Sequence, residues 1–226
     1  MIFIDPLFFE FEPVKIANIF DNGDVKADVA RFIGIYEKQC LKDVLGECLY
    51  KEVQDSYTFD ADEKKFVIKP DATQAIINLV NGFSYDAPDR TDMVVDYYLT
   101  YNGCGCGCGN SNCNKREWKG FVQEDEFLIG DALSSIKKSF IADYVYYFYL
   151  LENRSITAGT GQQVLAGENS NTVSNFSKRI DRWNEFIMSV IGGRKGETSL
   201  YQFLRDNKSD YPAWTRSCNL QFKTKW

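Results

Sequence analysis

The run Phe127–Asn153 reads FLIGDALSSIKKSFIADYVYYFYLLEN. Its apolar residues Phe127, Ile129, Leu133, Ile136, Phe140, Tyr144, Phe148 and Leu151 recur at steps of two, then four, three, four, four, four and three. Such a stripe has the 3.6-residue period of an amphipathic helix. At ~1.5 Å per residue it predicts a helix of roughly 35–40 Å. A second run, Thr172–Ile191, places Phe176, Ile180, Trp183, Phe186, Ile187 and Val190 on one face, with Thr172, Ser174 or Asn175 available as cap.

Between the two runs lies a polar segment that reads ITAGTGQQVLAGENSNT from Ile156. Thr157, Gln162 and Val164 allow a short hairpin around Gly159–Gly161. A segment of this length and polarity is either a solvent-exposed connector or a projecting contact element in an assembly. The second reading makes Gly159, Gly161, Gln162, Glu168 and Asn169 candidate interface residues.

Working outward, Asp24–Leu45 forms a helix capped by Asn22 or Asp24, with Val25, Val29, Phe32, Ile33, Tyr36, Cys40, Leu41 and Val44 on one face. Gly46 interrupts it, and a short helix Glu47–Gln54 follows. Gly34 sits inside the first helix, either packed closely against a neighbour or tolerated on a solvent face. Residues 1–20 carry Pro6 and Pro13, which oppose one continuous helix. Their Phe8, Phe9 and Phe11 cluster reads as extended, either an arm on a neighbouring subunit or an internal edge strand. Ser56–Lys69 reads as a solvated loop. Pro70 opens a helix of Asp71–Asn81 that Gly82 ends.

Residues 83–120 break the helical pattern. MVVDYYLTY, Met93–Tyr101, is β-branched and aromatic, and Glu117–Val122 suits a returning strand. After the second main helix come a short helix, Ser199–Arg205, and a basic tail. The expected fold is therefore mainly α: a bundle of long amphipathic helices with a small β-hairpin insertion and extended termini. It forms a single domain, 1–226, with an inserted region at about 83–120 and a C-terminal extension at about 199–226.

The composition narrows the chemistry. The 226 residues include no histidine, which removes Ser-His-Asp and Cys-His nucleophile systems. Net charge is −6, without the basic face of a general nucleic-acid binder. The start, Met1–Phe11, contains Asp5 and Glu10 and lacks the basic opening of a secretory leader. No run reaches the length of a membrane span, so no membrane partner is expected. Aromatic residues make up 15% of the chain, a proportion that serves interfaces as well as cores.

Cys104, Cys106, Cys108 and Cys113 cluster in GCGCGCGNSNC. Four thiolates can hold zinc, but structural zinc sites space their ligands by two to four residues, and the first gaps here are single glycines. Metal site, disulfide and exposed tip with free thiols all stay open. Cys40, Cys48 and Cys218 read as core or partly buried residues. GTG at 159–161 and GGRKGETS at 192–199 both lack the glycine–lysine spacing of a phosphate loop. No paired carboxylates mark a hydrolase, so no catalytic residue and no cofactor are assigned.

Three pieces together carry a resemblance. The first is VARFIGIYEKQCLKDVLGECLYKEV, Val29–Val53, with Glu37 before an aliphatic run, a Leu45–Gly46 break, and Leu49–Tyr50. The second is the long helix followed by GENSNTVS at 167–174 and IDRWNEFI at 180–187. The third is SLYQFLRDNKSDYPAW, Ser199–Trp214. In this order they resemble the head-to-tail connector, or adaptor, proteins of tailed bacteriophages, especially the crAss-like and other phages of gut Bacteroidales. The glycine–cysteine insertion lies outside that pattern. The resemblance implies a helical subunit of a ring, usually of twelve copies, in the virion neck. Such a ring binds the portal protein above and tail or stopper proteins below, and DNA passes through it without sequence-specific binding. Trp214, Phe222 and Trp226 then become candidate anchors. A small helical interaction or regulatory protein with a zinc-binding cysteine cluster is the alternative.

Overall fold

A computed structural model describes residues 3–11, 13–17, 19, 21–62, 65–87, 115–129, 132–152, 156–158, 161–163, 175–192, 197–216 and 220–221. The fold is mixed α/β. Five α-helices alternate with four two-stranded antiparallel sheets among the described residues, which corrects the expectation of a bundle of long helices.

Helix α1, Gly23–Asp55, starts with the Asn22 side chain accepting the Asp24 N–H. It kinks where expected, at Gly46, whose φ of 76° leaves the helical region. There the Trp214 indole N–H donates to the Val44 carbonyl over 3.3 Å, meeting an acceptor that the kink frees. Gly34 is exposed, with nothing within 4 Å of where its Cβ would stand, so the solvent-face reading holds.

Ser56–Lys69 is not a plain loop. Strands β1, Tyr57–Asp60, and β2, Lys65–Ile68, pair from Tyr57↔Ile68 to Asp60↔Lys65. Phe59 and Phe66 meet edge to face at 5.3 Å on this hairpin. The β-branched and aromatic residues of YTFD and KFVI outweigh the charged turn between them. Helix α2, Gln74–Asn81, is capped by Thr73 and ends at Gly82. Strand β3, Phe83–Asp86, pairs with β4, Lys115–Trp118, as the stem of the insertion.

The largest departure lies in residues 127–153. Strands β5, Gln123–Ile129, and β6, Ala132–Lys138, form a hairpin in register from Gln123↔Lys138 to Ile129↔Ala132. Only then does α3, Phe140–Glu152, begin. Gly130–Asp131, between two runs rich in strand formers, is a two-residue hairpin signal that overrides the four-residue stripe. Ser139 fixes the changeover: its hydroxyl donates to the Phe121 carbonyl over 2.7 Å and accepts the Ile141 N–H at 3.2 Å.

Helix α3 buries Phe140, Ile141, Ala142, Tyr144, Val145, Tyr146 and Tyr147, nearly its whole circumference over two turns. That is the pattern of a central helix. It packs between α1 and α4, Asn175–Val190. Tyr36 of α1 stacks on Phe148 at 4.3 Å, and Tyr147 and Tyr144 meet Trp183 of α4 at 4.8 and 6.0 Å. The hydroxyl tips are tied as well: Tyr144 donates to Asp43 Oδ2 at 2.7 Å and Tyr146 to the Lys15 carbonyl at 3.0 Å.

Between α3 and α4, β7, Ile156–Ala158, and β8, Gly161–Gln163, form the short hairpin expected there. Helix α5, Leu200–Asp206, follows, capped by Ser199. The chain start is neither an extended arm nor an edge strand. Pro6–Phe9 forms a 3-10 turn that buries Phe8 and Phe9 in the chain's own core, because proline pre-sets φ for such a turn.

Candidate functional site

Two backbones cross at the root of the insertion. Gly82 (φ 94°) and Gly120 (φ 82°) face one another. A Cβ on Gly82 would stand 2.6 Å from the Trp118 carbonyl oxygen and 2.8 Å from the Lys119 carbonyl carbon. Only residues without a side chain allow this approach. The Phe121 N–H donates to the Val80 carbonyl at 2.9 Å, and the Trp118 indole to the Leu79 carbonyl at 2.7 Å.

The stem is also tied sideways. Arg116 of β4 pairs with Asp206 of α5, and the Tyr85 hydroxyl of β3 donates to the same carboxylate oxygen at 3.1 Å. The Asp206 side chain is 0% exposed. Burial, then the Asp206 charge and hydrogen bond, push the Tyr85 hydroxyl well above its usual range. This buried trio fixes the direction in which the stem leaves the core.

A cleft of about 330 Å³ opens where the β5–β6 hairpin joins α3. Phe8, Phe11 and Val14 form an apolar wall. Its polar wall mixes Lys137, Lys138 and Arg182 with Asp143, Glu185 and Glu197. Arg182 and Asp143 pair at 3.3 Å. The three serines in the cleft are committed to structure, Ser189 by donating to the Glu185 carbonyl at 3.1 Å. Ser139 caps α3, while Ser199 donates to the Ile191 carbonyl at 3.1 Å and accepts the Gln202 N–H at 3.3 Å. The cleft thus sets an apolar wall against one of mixed charge, with its serine hydroxyls tied to the backbone.

Of the residues singled out from the sequence, Gly161 and Gln162 lie on β8. Trp214 is half-buried, edge to face with Tyr201 at 5.3 Å and bonded to the α1 kink. Gly159, Glu168, Asn169, Phe222 and Trp226, with Cys104, Cys106, Cys108 and Cys113, the strand expected at Met93–Tyr101, and Cys218, fall outside the described residues. Cys40 is buried as expected, but Cys48 is exposed. Among the described residues no group of three His, Cys, Asp or Glu side chains is placed to hold a metal ion. No helix there is long and apolar enough to cross a membrane.

The cleft was hidden in the sequence because one continuous helix over 127–153 leaves no room for it. The Gly130–Asp131 pair was the signal that would have found it. Glu37 of α1, buried in the core, gave no local signal of its burial.

Residues 123–224, under half of the chain, match a family described as "Family of unknown function (DUF6712)". The match takes in the β5–β6 hairpin, the cleft's α3 and α4 walls, and α5. No curated protein and no solved structure matches the chain.

Proposed function

We propose that the chain is a structural subunit of a head-to-tail connector ring in a tailed bacteriophage. It docks under the portal protein and continues the DNA channel toward tail or stopper proteins. The observation that carries this reading is a division of labour in the fold. Helices α1, α3 and α4 share one aromatic core, while three short hairpins and the stem of the insertion occupy the connections between helices. Such hairpins suit contact with neighbouring copies. Exposed apolar side chains at Leu7, Phe11, Phe59 and Phe83 add contact area, and aromatic anchors dominate many interfaces.

A net charge of −6 suits a wall past which DNA slides rather than one that holds it. The reading places a ring of about twelve copies in the virion neck, after synthesis in the bacterial host. It gives the protein no catalytic residue, no cofactor and no membrane partner. Native mass spectrometry and electron microscopy, with and without purified portal, test it. A closed ring on the portal supports the reading. A monomer in both samples, absent also from particles, overturns it.

A further inference from the structure

We infer that residues 3–11 form a proton-controlled latch, held shut by Glu37 of α1 accepting the backbone N–H groups of Phe3 and Ile4 inside the core. Glu37 Oε2 accepts from Phe3 N at 2.8 Å and Ile4 N at 3.3 Å. The residue is only 2% exposed, and its second oxygen, Oε1, is buried with no hydrogen-bond partner among the described residues. Aromatic rings close the site: Phe3 stands edge to face against Tyr57 of β1 and against Phe121, both at 5.2 Å. Farther along, Ile4, Phe8 and Phe9 are buried, Phe9 stacks on Tyr146, and the Ile16 N–H ties to the Phe9 carbonyl at 2.9 Å.

A neutral carboxyl fits this geometry at lower cost, because Oε2 still accepts both N–H groups and no charge is left in the core. A carboxylate leaves charge on a buried oxygen with no donor among the described residues, which is costlier. Opening the segment admits water to that oxygen. Burial accordingly pushes Glu37 from 4.5 up to about 7, against the opposing pull of the Ile4 and Phe3 N–H groups and the positive amino terminus.

The other groups that feel Glu37 are Cys40 and Tyr50 on its own helix and Tyr57 on β1. Burial drives all three upward, so they stay neutral between pH 5 and 8. The sign follows. In the open state Glu37 ionises near 4.5, and in the closed state near 7. Closing is therefore tightest at low pH, weakens by up to about tenfold per pH unit between those values, and levels off above them.

The test is hydrogen exchange on the full chain between pH 5 and 8, with rates normalised to an unstructured peptide of the same sequence. In the wild type, normalised protection of residues 3–11 is expected to fall at least tenfold, with these residues exchanging faster than α3 at every pH, as local opening requires. In Glu37→Gln the protection is expected to stay within about twofold. Wild-type protection flat with pH overturns the latch, as does a Glu37→Gln variant that keeps the fall or a segment 3–11 that exchanges no faster than α3. Should that variant fail to fold, carbon NMR of the wild-type glutamate carboxyls decides. A carboxyl titrating near 7 in step with the loss of protection supports the latch, and none between 6 and 8 overturns it.

Discussion

Alanine at Gly120 adds one methyl group at the crossing beneath the insertion stem. Its Cβ would stand 2.7 Å from the Asn81 carbonyl carbon and 2.8 Å from the Gly82 nitrogen, with the Val80 carbonyl oxygen closer still. These are backbone atoms of another segment, so no flexible side chain can yield. A φ of 82° adds about 1–2 kcal/mol of left-handed strain for any residue with a Cβ. Relief requires the two chains to part. That loosens the Phe121–Val80 backbone bond and the Trp118 indole bond to Leu79, each contributing about 1 kcal/mol. Lower entropy of the unfolded chain returns about 0.4–1 kcal/mol. The net loss is about 3 kcal/mol, a large share of the 5–15 kcal/mol typical of a folded domain. Urea denaturation followed by far-ultraviolet circular dichroism reads it as a midpoint lowered by roughly 1–2 M. Because Gly82 and Gly120 form one contact, Gly82→Ala should cost a similar amount, and the double variant less than the sum. A Gly120→Ala midpoint within about 0.3 M of wild type would refute the crossing.

Gly34→Ala works in the opposite direction. In a helix with open space at the Cβ position it should stabilise by about 1 kcal/mol, seen as a raised melting temperature. Asp206→Asn removes the charge that Arg116 and Tyr85 share and should cost about 2–4 kcal/mol; a double-mutant cycle with Arg116→Met should show strong coupling. Because Glu37 is raised in the folded state, its cost to global stability is absent below pH 4.5, grows to about 3 kcal/mol by pH 7 and stays constant above. Glu37→Gln should flatten that part of the stability–pH curve in denaturation series. If the chain is a connector subunit as proposed, removing Phe222–Trp226 should weaken docking to purified portal in a pull-down assay with helicity unchanged; full docking would refute a role for these anchors. Cutting further, at Pro212, would also remove Trp214 from the α1 kink and Gln221, whose carbonyl accepts the Trp183 indole N–H at 2.7 Å.

Where apolar spacing and a stop signal agreed, the fold was legible. Asn22 and Gly46 marked the cap and kink of α1, and Ser199 marked the start of α5. Gly159–Gly161 also located the short hairpin β7–β8. The reading of 127–153 failed because residues four apart share a face in a helix and in an alternating strand alike. The step of two from Phe127 to Ile129 fits a strand and not one helix face, and it was the discordant signal. The β1–β2 hairpin was missed because its charged turn dominates its composition. At the candidate site, Trp214 was noticed for its size, but its internal partners, Tyr201 and the Val44 carbonyl, are brought together only by tertiary folding. Glu37 looked like one more helical carboxylate. Burial under Phe3 is a long-range event that no local pattern encodes.

The crossing of Gly82 and Gly120 also bears on how this protein can diverge. It clamps both ends of the insertion, so the core holds a fixed pair of strand ends through that crossing. Closure entropy changes by only ~0.6 kcal/mol for each halving of a loop. Shortening residues 88–114 to a quarter of their length would thus alter stability by only about 1 kcal/mol through that effect. The stem is built as a socket: lengthening or trimming what it carries leaves the crossing beneath it, and the aromatic core, in place at little entropic cost.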